Sequence, residues 1–490
     1  MTQDKTVACP VPVPLNHIVM KLKFPLFFIW VIVMCGTVSA KPVDEITART
    51  VASHFFAMKC KHSSVLSTPT IAYVAPSFRS EDGTAPSFYV VNFDSEGFVI
   101  VAGDDRVQPI LAFSDEGAFV AENMPAHIRF FLDGYTEEIQ YVVDNQKYSD
   151  ESVLQQWEAL KSGSISASKD GDVVVGPLLG NNKWDQTRYY NDFCPADASG
   201  NPTYGGHAAA GCGAVVMGQV MRYWHYPSTG TGSHSYSSNY GTLSANFGAT
   251  TYRYENMPDR LTITYHPDSC VEAVATLLYH CGVAVNMNYG PSASVANSNR
   301  IVTALSTYFS YPTTVRYIER GSLSLAVWLN YLKGELDEGA PFMYGGSGSY
   351  GGHVWTCDGY QDDDYFHFNW GWSGQQNGYY ALTNCSSYGF NSNHAIIIGI
   401  RGPELPDAIE EHSGENVKVF PNPSNGNVYV CAEFQPVLEL QVFDLSGRLL
   451  FQKSVGEKEF HVDLSNYDSG VYMLRLVTAN GVETRKIIKY

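Results

Sequence analysis

Two stretches without hydrophobic periodicity divide this chain of 490 residues into parts that must fold separately. Residues 162–172 are rich in Ser, Lys, Asp and Gly, and residues 403–416 are rich in Pro and acidic residues. A chain of this length is too long for one ordinary core. We therefore expect two or three globular parts, with an exposed and cleavable connection at the first stretch.

The part before residue 171 mixes two kinds of hydrophobic period. Residues 45–59 and 124–148 have helical spacing, whereas residues 88–93 and 97–102 alternate like two strands paired across a Ser-Glu-Gly turn. Because both periods occur side by side, we predict an α+β unit here.

The central part, residues 171–402, has helical patterns first and strand patterns later. Helices are predicted at 270–285 and 323–338, and short alternating runs broken by glycine fill 342–399, as in an antiparallel sheet. This order indicates an α+β domain. Residues 417–490 alternate over short strands separated by turn signals, which predicts a small β-sandwich.

The first 40 residues have the features of an export signal. Lys21 and Lys23 precede an apolar run over residues 24–34, and small residues end at Ala40. A short positive segment, an apolar run and a small-residue end are typical of a cleaved secretory signal. The run is shorter than the ~20 residues of a membrane span, so an anchor is the weaker alternative. We predict that residues 1–40 hold an upstream extension and a signal peptide, and that the protein is secreted or lies at the cell surface.

Charge and cysteine spacing exclude several classes of function. The formal net charge of -18 argues against nucleic-acid binding, which needs a basic surface. Neither a CxxC pair nor an HExxH pattern occurs, so no zinc site, other metal or cofactor is predicted. Apart from Cys9 and Cys35, eight widely spaced cysteines remain, most of which we expect to be small buried hydrophobes. Whether any of them pair stays open.

Cys212 lies where small residues give way to a helical pattern. Residues 205–211 read Gly-Gly-His-Ala-Ala-Ala-Gly, and an apolar helical run follows directly. A cysteine at a helix start lies near the positive end of the dipole and near free backbone N–H groups, which favour the nucleophilic thiolate. The small neighbours leave room for a substrate backbone. A nucleophile is one interpretation, and a buried structural cysteine in a Gly-rich turn is the other.

A thiol nucleophile needs a base from elsewhere in the chain. His353 follows two glycines and opens an alternating strand, about 140 positions after Cys212, an interval comparable with papain-like enzymes. His207 is close in sequence, but its ring need not point at the thiol. His367 and His394 lie within predicted strands and are more simply core or surface histidines. We predict His353 as the base.

An Asn-Trp-Gly-Trp sequence lies one strand after this histidine. Asn369 suits the group that orients an imidazole, and Trp370 suits a ring that shields their bond from water. A tight turn packed on the core is the alternative interpretation.

Together these motifs resemble the streptopain family of papain-like cysteine proteases. Gly-Cys at 211–212, Gly-His at 352–353 and Asn-Trp-Gly-Trp at 369–372 occur in the order and spacing of that family. Trp-Asp-Gln at 184–186 and Met-Asn-Tyr-Gly-Pro-Ser at 287–292 agree as well.

The resemblance covers about residues 175–402. The sequence Gly-Phe-Val-Ile-Val-Ala-Gly-Asp-Asp-Arg at 97–106 also looks like the inhibitory pro-domain of the family, which extends the resemblance back to about residue 41. It implies a papain-like catalytic domain of two subdomains over 171–402, preceded by an α+β pro-domain over 41–170 that acts as an intramolecular inhibitor.

The resemblance also implies roles for single residues. Cys212 attacks the peptide carbonyl, and His353 holds and then donates the proton. Asn369 looks like the orienting partner of the histidine, with Trp370 beside it. Gln186 resembles the oxyanion-hole side chain, which works with the backbone N–H of Cys212. The residues that resemble a substrate groove are Tyr289, Gly290, Pro291, Ser292 and Gly352, and the family tends to accept apolar residues just before the scissile bond.

The last part of the chain resembles the C-terminal sorting domain of type IX secretion. The matching strings are Val-Phe-Pro-Asn-Pro at 419–423, Val-Phe-Asp-Leu-Ser-Gly at 442–447 and Ser-Gly-Val-Tyr at 469–472. The resemblance implies a bacterial protein that an outer-membrane secretion machinery exports. A sandwich that binds substrate or glycan is the alternative, since this fold has many functions.

Three classes of function fit the sequence. The first is a secreted cysteine endopeptidase, made as a zymogen, that cleaves protein and peptide substrates. The second is a non-enzymatic surface adhesin with a protease-like domain, and the third is an acyl transferase with the same Cys-His chemistry. A serine hydrolase is not expected because no GxSxG elbow occurs. The presence of both Cys212 and His353 favours the first class.

Overall fold

The computed structural model describes the chain from residue 42 to residue 489 with short gaps. The gaps are 60–67, 77–84, 123, 148–150, 165–172, 201, 349–350, 362–363, 383–392, 403–416, 423, 433–435, 445–447 and 479–480. The predicted signal segment, the linker and most of the predicted cleavable stretch therefore lie outside the described residues. Within the described ranges, every helix is too short or too polar to cross a membrane.

The N-terminal unit is a four-stranded antiparallel sheet with three helices. Ala48, Val51, Ala52 and Phe55 give the first helix one buried face, because residues three and four apart lie on the same side of a helix. Its elements in chain order are α1 Glu45–Lys59, β1 Pro69–Val74, β2 Phe88–Phe93, β3 Phe98–Ala102, β4 Ile110–Ser114, α2 Ala126–Asp144 and α3 Glu151–Ser162.

The described residues of the central part form four α-helices and nine strands. Its helices are α4 Cys212–Trp224, α5 Asp268–Ala284, α6 Asn299–Tyr308 and α7 Leu325–Asp337. Its strands are β5 Val173–Val175, β6 His234–Ser238, β7 Gly241–Ala245, β8 Arg316–Glu319, β9 Phe342–Gly348, β10 Gly351–Gln361, β11 Tyr365–Asn369, β12 Gly378–Ala381 and β13 His394–Ile398. The mixture of helix and sheet confirms the predicted α+β class, and the predicted helices agree with α1, α2, α5 and α7 to within a few residues.

One antiparallel sheet runs through both parts. Its strand order is β1-β2-β3-β4-β12-β11-β10-β9-β13-β8, with β5 beside β10. The N-terminal unit joins the sheet where Ala112 and Phe113 of β4 pair with Tyr380 and Tyr379 of β12. One hydrophobic core contains α1, α2 and most of the apolar residues of this sheet, and a second contains α4, α5 and α6 with the opposite face of β9, β10 and β13. The N-terminal unit is therefore packed as an extension of the central part.

The C-terminal part, taken by itself, consists of two antiparallel sheets. One has the order β14-β15-β18 and the other β17-β16-β19-β20. Apolar residues that alternate along the strands form a core of their own, with Val428, Leu440 and Leu474 fully buried. The predicted β-rich C-terminal region is confirmed. Its strands are β14 Val417–Phe420, β15 Asn427–Ala432, β16 Val437–Asp444, β17 Leu449–Glu457, β18 Glu459–Asp463, β19 Gly470–Thr478 and β20 Gly481–Lys489.

Phe113 provides a test of the join between β4 and β12. Its ring stacks on Tyr379 at 5.3 Å and meets Tyr365 edge-on at 5.4 Å, both from the central part. Phe113→Ala leaves a cavity at this buried site, a change that costs about 3–5 kcal/mol. In a Cys212→Ala background we expect a lower urea midpoint and faster limited proteolysis of the N-terminal unit.

The matched control is Phe460→Ala, which removes a buried ring from the core of the C-terminal sandwich. It should leave the protease resistance of the N-terminal unit unchanged. Equal resistance of the Phe113→Ala chain and the parent chain would show that this contact does not hold the two parts together.

Candidate active site

Cys212 is the first residue of α4 because the chain turns sharply at Gly211. Gly211 has φ of 89°, in the left-handed region, and a Cβ there would lie 2.8 Å from the Met287 side chain. Only glycine fits this position without displacing its neighbours. The predicted start of the helix at Cys212 therefore agrees with the structure.

Burial, and not the helix start, dominates the environment of the thiol. The Cys212 Sγ accepts hydrogen bonds from the backbone N–H groups of Val354 and Gly213, which lower its pKa. Desolvation is the larger cause, and the net effect is a raised pKa. The pKa of the thiol is thus shifted in the direction opposite to the one expected from its place at the helix start.

The strand β10 carries His353 to the start of α4. His353 pairs with Gly346 across β9 and β10, and the next residue, Val354, donates its N–H to the Cys212 thiol. The histidine that sequence analysis selected thus lies one residue from a direct contact with the thiol.

The other three histidines have contacts elsewhere. The ring of His207 binds the Cys194 carbonyl at 2.8 Å. His367 pairs with the buried Asp358 at 2.6 Å, and His394 bonds the Tyr344 hydroxyl at 2.7 Å. These contacts agree with the interpretation that His367 and His394 are structural.

The helix α2 of the N-terminal unit covers the candidate base. The buried His127 ring lies 5.9 Å from the His353 ring and 5.6 Å from the Trp370 ring, measured between centroids. Phe130 lies 6.3 Å from His353, and Phe131 meets Trp370 at 5.7 Å. One turn of α2 therefore packs on the face of the sheet where a substrate would have to meet His353.

Asn369 belongs to a buried hydrogen-bond network. Its Nδ2 donates to the Asn182 carbonyl at 2.7 Å, and its Oδ1 accepts from the Gly371 N–H at 3.1 Å and from Gln219 Nε2 at 3.0 Å. These bonds connect Asn369 to α4, and its action on His353 stays a prediction. Trp370 is also buried, and its indole N–H donates to the Gln376 carbonyl at 2.9 Å.

Gln186 lies close to the start of α4. Its carbonyl accepts from the Ala210 N–H at 3.0 Å, two residues before the nucleophile. Its own N–H donates to the buried Asp185 carboxylate, which also accepts from the Ser373 hydroxyl. This position is compatible with the predicted oxyanion-hole role of the Gln186 side chain.

The loop predicted as a groove wall contacts this site through its backbone. The Gly290 carbonyl accepts from the Ala209 N–H at 3.1 Å, and Ser294 ties the two segments together by donating to the Ala209 carbonyl at 2.7 Å. The Tyr289 ring, in contrast, is 3% exposed and packs over Gly282 in the core. The Tyr289 ring thus turns inward, whereas Ser292 is exposed, and the groove role of this loop stays a prediction.

A cavity of about 300 Å³ opens beside His353. Gly352, one of the predicted substrate-binding residues, lies on its wall. Sequence analysis missed the other lining residues because apolar positions of β9 and β13 look like ordinary core. The remaining lining residues are Ala296, Asn297, Ser298, Tyr317, Met343, Gly345, Gly346, Val354, Asn393, Ala395, Ile396 and Ile397.

A cysteine at a helix start beside a histidine on a strand is the arrangement of a papain-like thiol protease. Comparisons with known proteins agree with this class. The Peptidase C10 family matches residues 184–380, the Spi protease inhibitor family matches residues 40–139, and the secretion system C-terminal sorting domain matches residues 418–490.

Individual relatives give the same result. Streptopain from Streptococcus pyogenes serotype M1 is 31% identical over 342 residues, which are 64% of this chain and 81% of streptopain. Thiol protease/hemagglutinin PrtT from Porphyromonas gingivalis is 29% identical over 402 residues, which are 79% of this chain but 44% of PrtT. A prointerpain A fragment from Prevotella intermedia is similar in structure, with a TM-score of 0.54 and 28% identity, over 67% of this chain and 99% of the fragment. The chain belongs to the peptidase C10 family.

His127 makes the docking of α2 sensitive to pH. The pKa of His127 is lowered from its ordinary 6.5 to about 3, chiefly by burial and also by the neighbouring His353, while a hydrogen bond with the Trp370 backbone opposes the shift. A released α2 would expose the ring. Between pH 6.5 and about 3 the released state therefore binds more protons than the docked state, and docking weakens as the pH falls through this range. The other titratable and charged groups around this part of α2 are His394, Arg320, Tyr344 and, on α2 itself, Glu138.

We expect the Cys212→Ala chain to release α2 more readily at pH 5 than at pH 7.5. For one proton, the equilibrium constant for release rises by up to about tenfold for each unit by which the pH falls. Limited proteolysis and tryptophan fluorescence measure the release. His127→Phe keeps an aromatic ring but cannot titrate, so its release should depend much less on pH. The matched control is His54→Gln, which changes a histidine bound to the Leu160 carbonyl inside the N-terminal unit. An unchanged pH dependence in His127→Phe would contradict the assignment.

Proposed function

We propose that this chain is a secreted cysteine endopeptidase made as a zymogen, with Cys212 as the nucleophile and His353 as its base. The observation that carries the proposal is the packing of α4 on β10, which brings the Cys212 thiol near the backbone of Val354, the residue next to His353. Family membership supports the same chemistry. The catalytic domain comprises residues 171–402 in this proposal.

The reaction needs no group beyond those of the chain and water. The Cys212 sulfur bonds to the peptide carbonyl carbon while His353 takes the thiol proton. The C–N bond then breaks, and His353 gives that proton to the leaving amine. Water, deprotonated by His353, attacks the thioester, which releases the new carboxylate and restores the thiol.

Other residues have supporting roles in the proposal. The Cys212 N–H and the Gln186 side chain stabilise the oxyanion of the tetrahedral intermediate. Asn369 orients the imidazole, and Trp370 keeps water away from it. The cavity beside Gly352 accepts an apolar side chain near the scissile bond, because Met343 and Ile396 are among its lining residues. The backbone of residues 290–292 forms the opposite side of the groove.

The N-terminal unit, residues 41–170, is the intramolecular inhibitor in this proposal. It contributes β4 to the sheet and places His127 and Phe130 against His353. Because the same contacts would block a substrate, cleavage within residues 162–172 is the activating step. After the linker at 403–416, residues 417–490 direct export through the outer-membrane secretion machinery.

Activation is tested by casein cleavage under reducing conditions. We expect the precursor to be nearly inactive and the chain cut within residues 162–172 to be active, because the cut releases α2 from His353. Activity should disappear in Cys212→Ala and after treatment with a thiol-alkylating reagent. Equal rates for the intact and the cut chain would rule out the inhibitory role of the N-terminal unit. Ligated products without net hydrolysis would indicate an acyl transferase.

The choice of base is tested by a pair of histidine variants. His353→Ala should lower kcat by at least about 10²-fold, the usual contribution of general acid–base catalysis. His207→Ala is the matched control and should keep most of the activity, because its ring binds the Cys194 carbonyl. If both variants lost activity to the same extent, His353 would not be distinguished as the base.

A further inference from the structure

Gln219 is a wholly buried polar side chain on the helix that carries the nucleophile. It follows Cys212 by seven positions, nearly two helical turns, so both residues lie on the same face of α4. It is 0% exposed. Burial of an amide is unfavourable unless its donors and acceptor find partners.

The Gln219 amide has partners for both its nitrogen and its oxygen. Its Nε2 donates to Asn182 Oδ1 at 3.1 Å and to Asn369 Oδ1 at 3.0 Å. Its Oε1 accepts from the Thr356 hydroxyl at 2.7 Å. Both N–H donors and the carbonyl oxygen are therefore used.

Backbone groups fix the orientation of this network. The Gly371 N–H points at Asn369 Oδ1, and the Asn182 carbonyl accepts from Asn369 Nδ2, so the Asn369 amide cannot be reversed. The Trp184 N–H points at Asn182 Oδ1 at 3.3 Å. Since both side-chain oxygens are acceptors, Gln219 must turn its nitrogen toward them and its oxygen toward Thr356.

The partners of Gln219 lie on every chain segment that carries a predicted catalytic group. Thr356 lies on β10, three residues after His353, and Asn369 ends β11 directly before Trp370. Asn182 begins the segment that leads to Gln186. All of these residues lie outside the N-terminal unit, so the network does not depend on the docking of α2.

We infer that Gln219 is a positioning residue, whose buried carboxamide fixes the helix of Cys212 against the strand of His353. The inference rests on the proposed function, in which the thiol and the imidazole react as a pair. Apolar packing alone is non-directional and would allow α4 to shift along β10. A displacement of 1 Å between reacting groups can lower a rate by about 10²-fold.

The test uses the full chain, cut within residues 162–172 by an added protease so that conversion does not depend on the activity of the variant. Gln219→Met keeps the length of the side chain but removes the amide, and Thr356→Val removes only the hydroxyl that donates to it. We expect kcat for a peptide substrate to fall about 10–100-fold in Gln219→Met, with KM within a few-fold of the parent value. Thr356→Val should show a smaller decrease of the same kind.

A second readout is the pH profile of Cys212 alkylation by a small reagent. This profile reports the ionisation of the thiol and of its imidazole, and it does not require peptide hydrolysis. The profile should shift in Gln219→Met. The matched control is Val220→Ala, a buried neighbour on α4 outside the network, which should lower the Tm but leave kcat and the alkylation profile unchanged.

The outcomes separate the inference from the proposed function. Equal losses of kcat in Gln219→Met and Val220→Ala, or an unchanged alkylation profile in Gln219→Met, would overturn the positioning role. A parent chain without Cys212-dependent hydrolysis would overturn the proposed function, and the alkylation profiles would still decide the role of Gln219.

Discussion

The contact between α4 and β10 is the interaction on which the site depends. At one end of the helix the Val354 N–H bonds the Cys212 thiol, and two turns later Thr356 bonds Gln219. The contact joins the two hydrophobic cores, since α4 belongs to one and most of the sheet to the other. A nucleophile on a helix and a base on a strand can act together only if this junction is rigid.

The N-terminal unit extends the same sheet and covers the candidate base. By adding β4 beside β12 and placing α2 over His353, it shares a core with the central part and covers the imidazole with the rings of His127 and Phe130. Docked in this way, the unit occupies the space that a substrate needs. Desolvation also raises the pKa of the partly buried Cys212 thiol, against the backbone N–H groups that lower it. The latency proposed for this arrangement is therefore steric.

Much of the fold could be predicted from the sequence, as could the place of Cys212 at a helix start and of His353 on a strand, since these depend on local patterns. The spacing of hydrophobic residues predicted α1, α5 and α7. Glycines next to Cys212 and His353 indicated backbone positions where a side chain is open to a substrate. Long-range packing could not be predicted. The inward turn of Tyr289, the raised pKa of the thiol and the β4–β12 join all depend on segments that are remote in sequence.

The network around Gln219 shows why a polar group is useful at this junction. Four segments that are far apart in sequence meet there, and each has a backbone or side-chain group that needs a partner with a defined direction. A buried amide with both donors and its acceptor in use allows only one arrangement of these segments, whereas an apolar side chain of the same size would allow several. A protease whose inhibitory unit must leave the sheet needs a site that does not change shape when that unit leaves. Hydrogen bonds confined to residues 182–371 meet that requirement, because none of them involves the N-terminal unit.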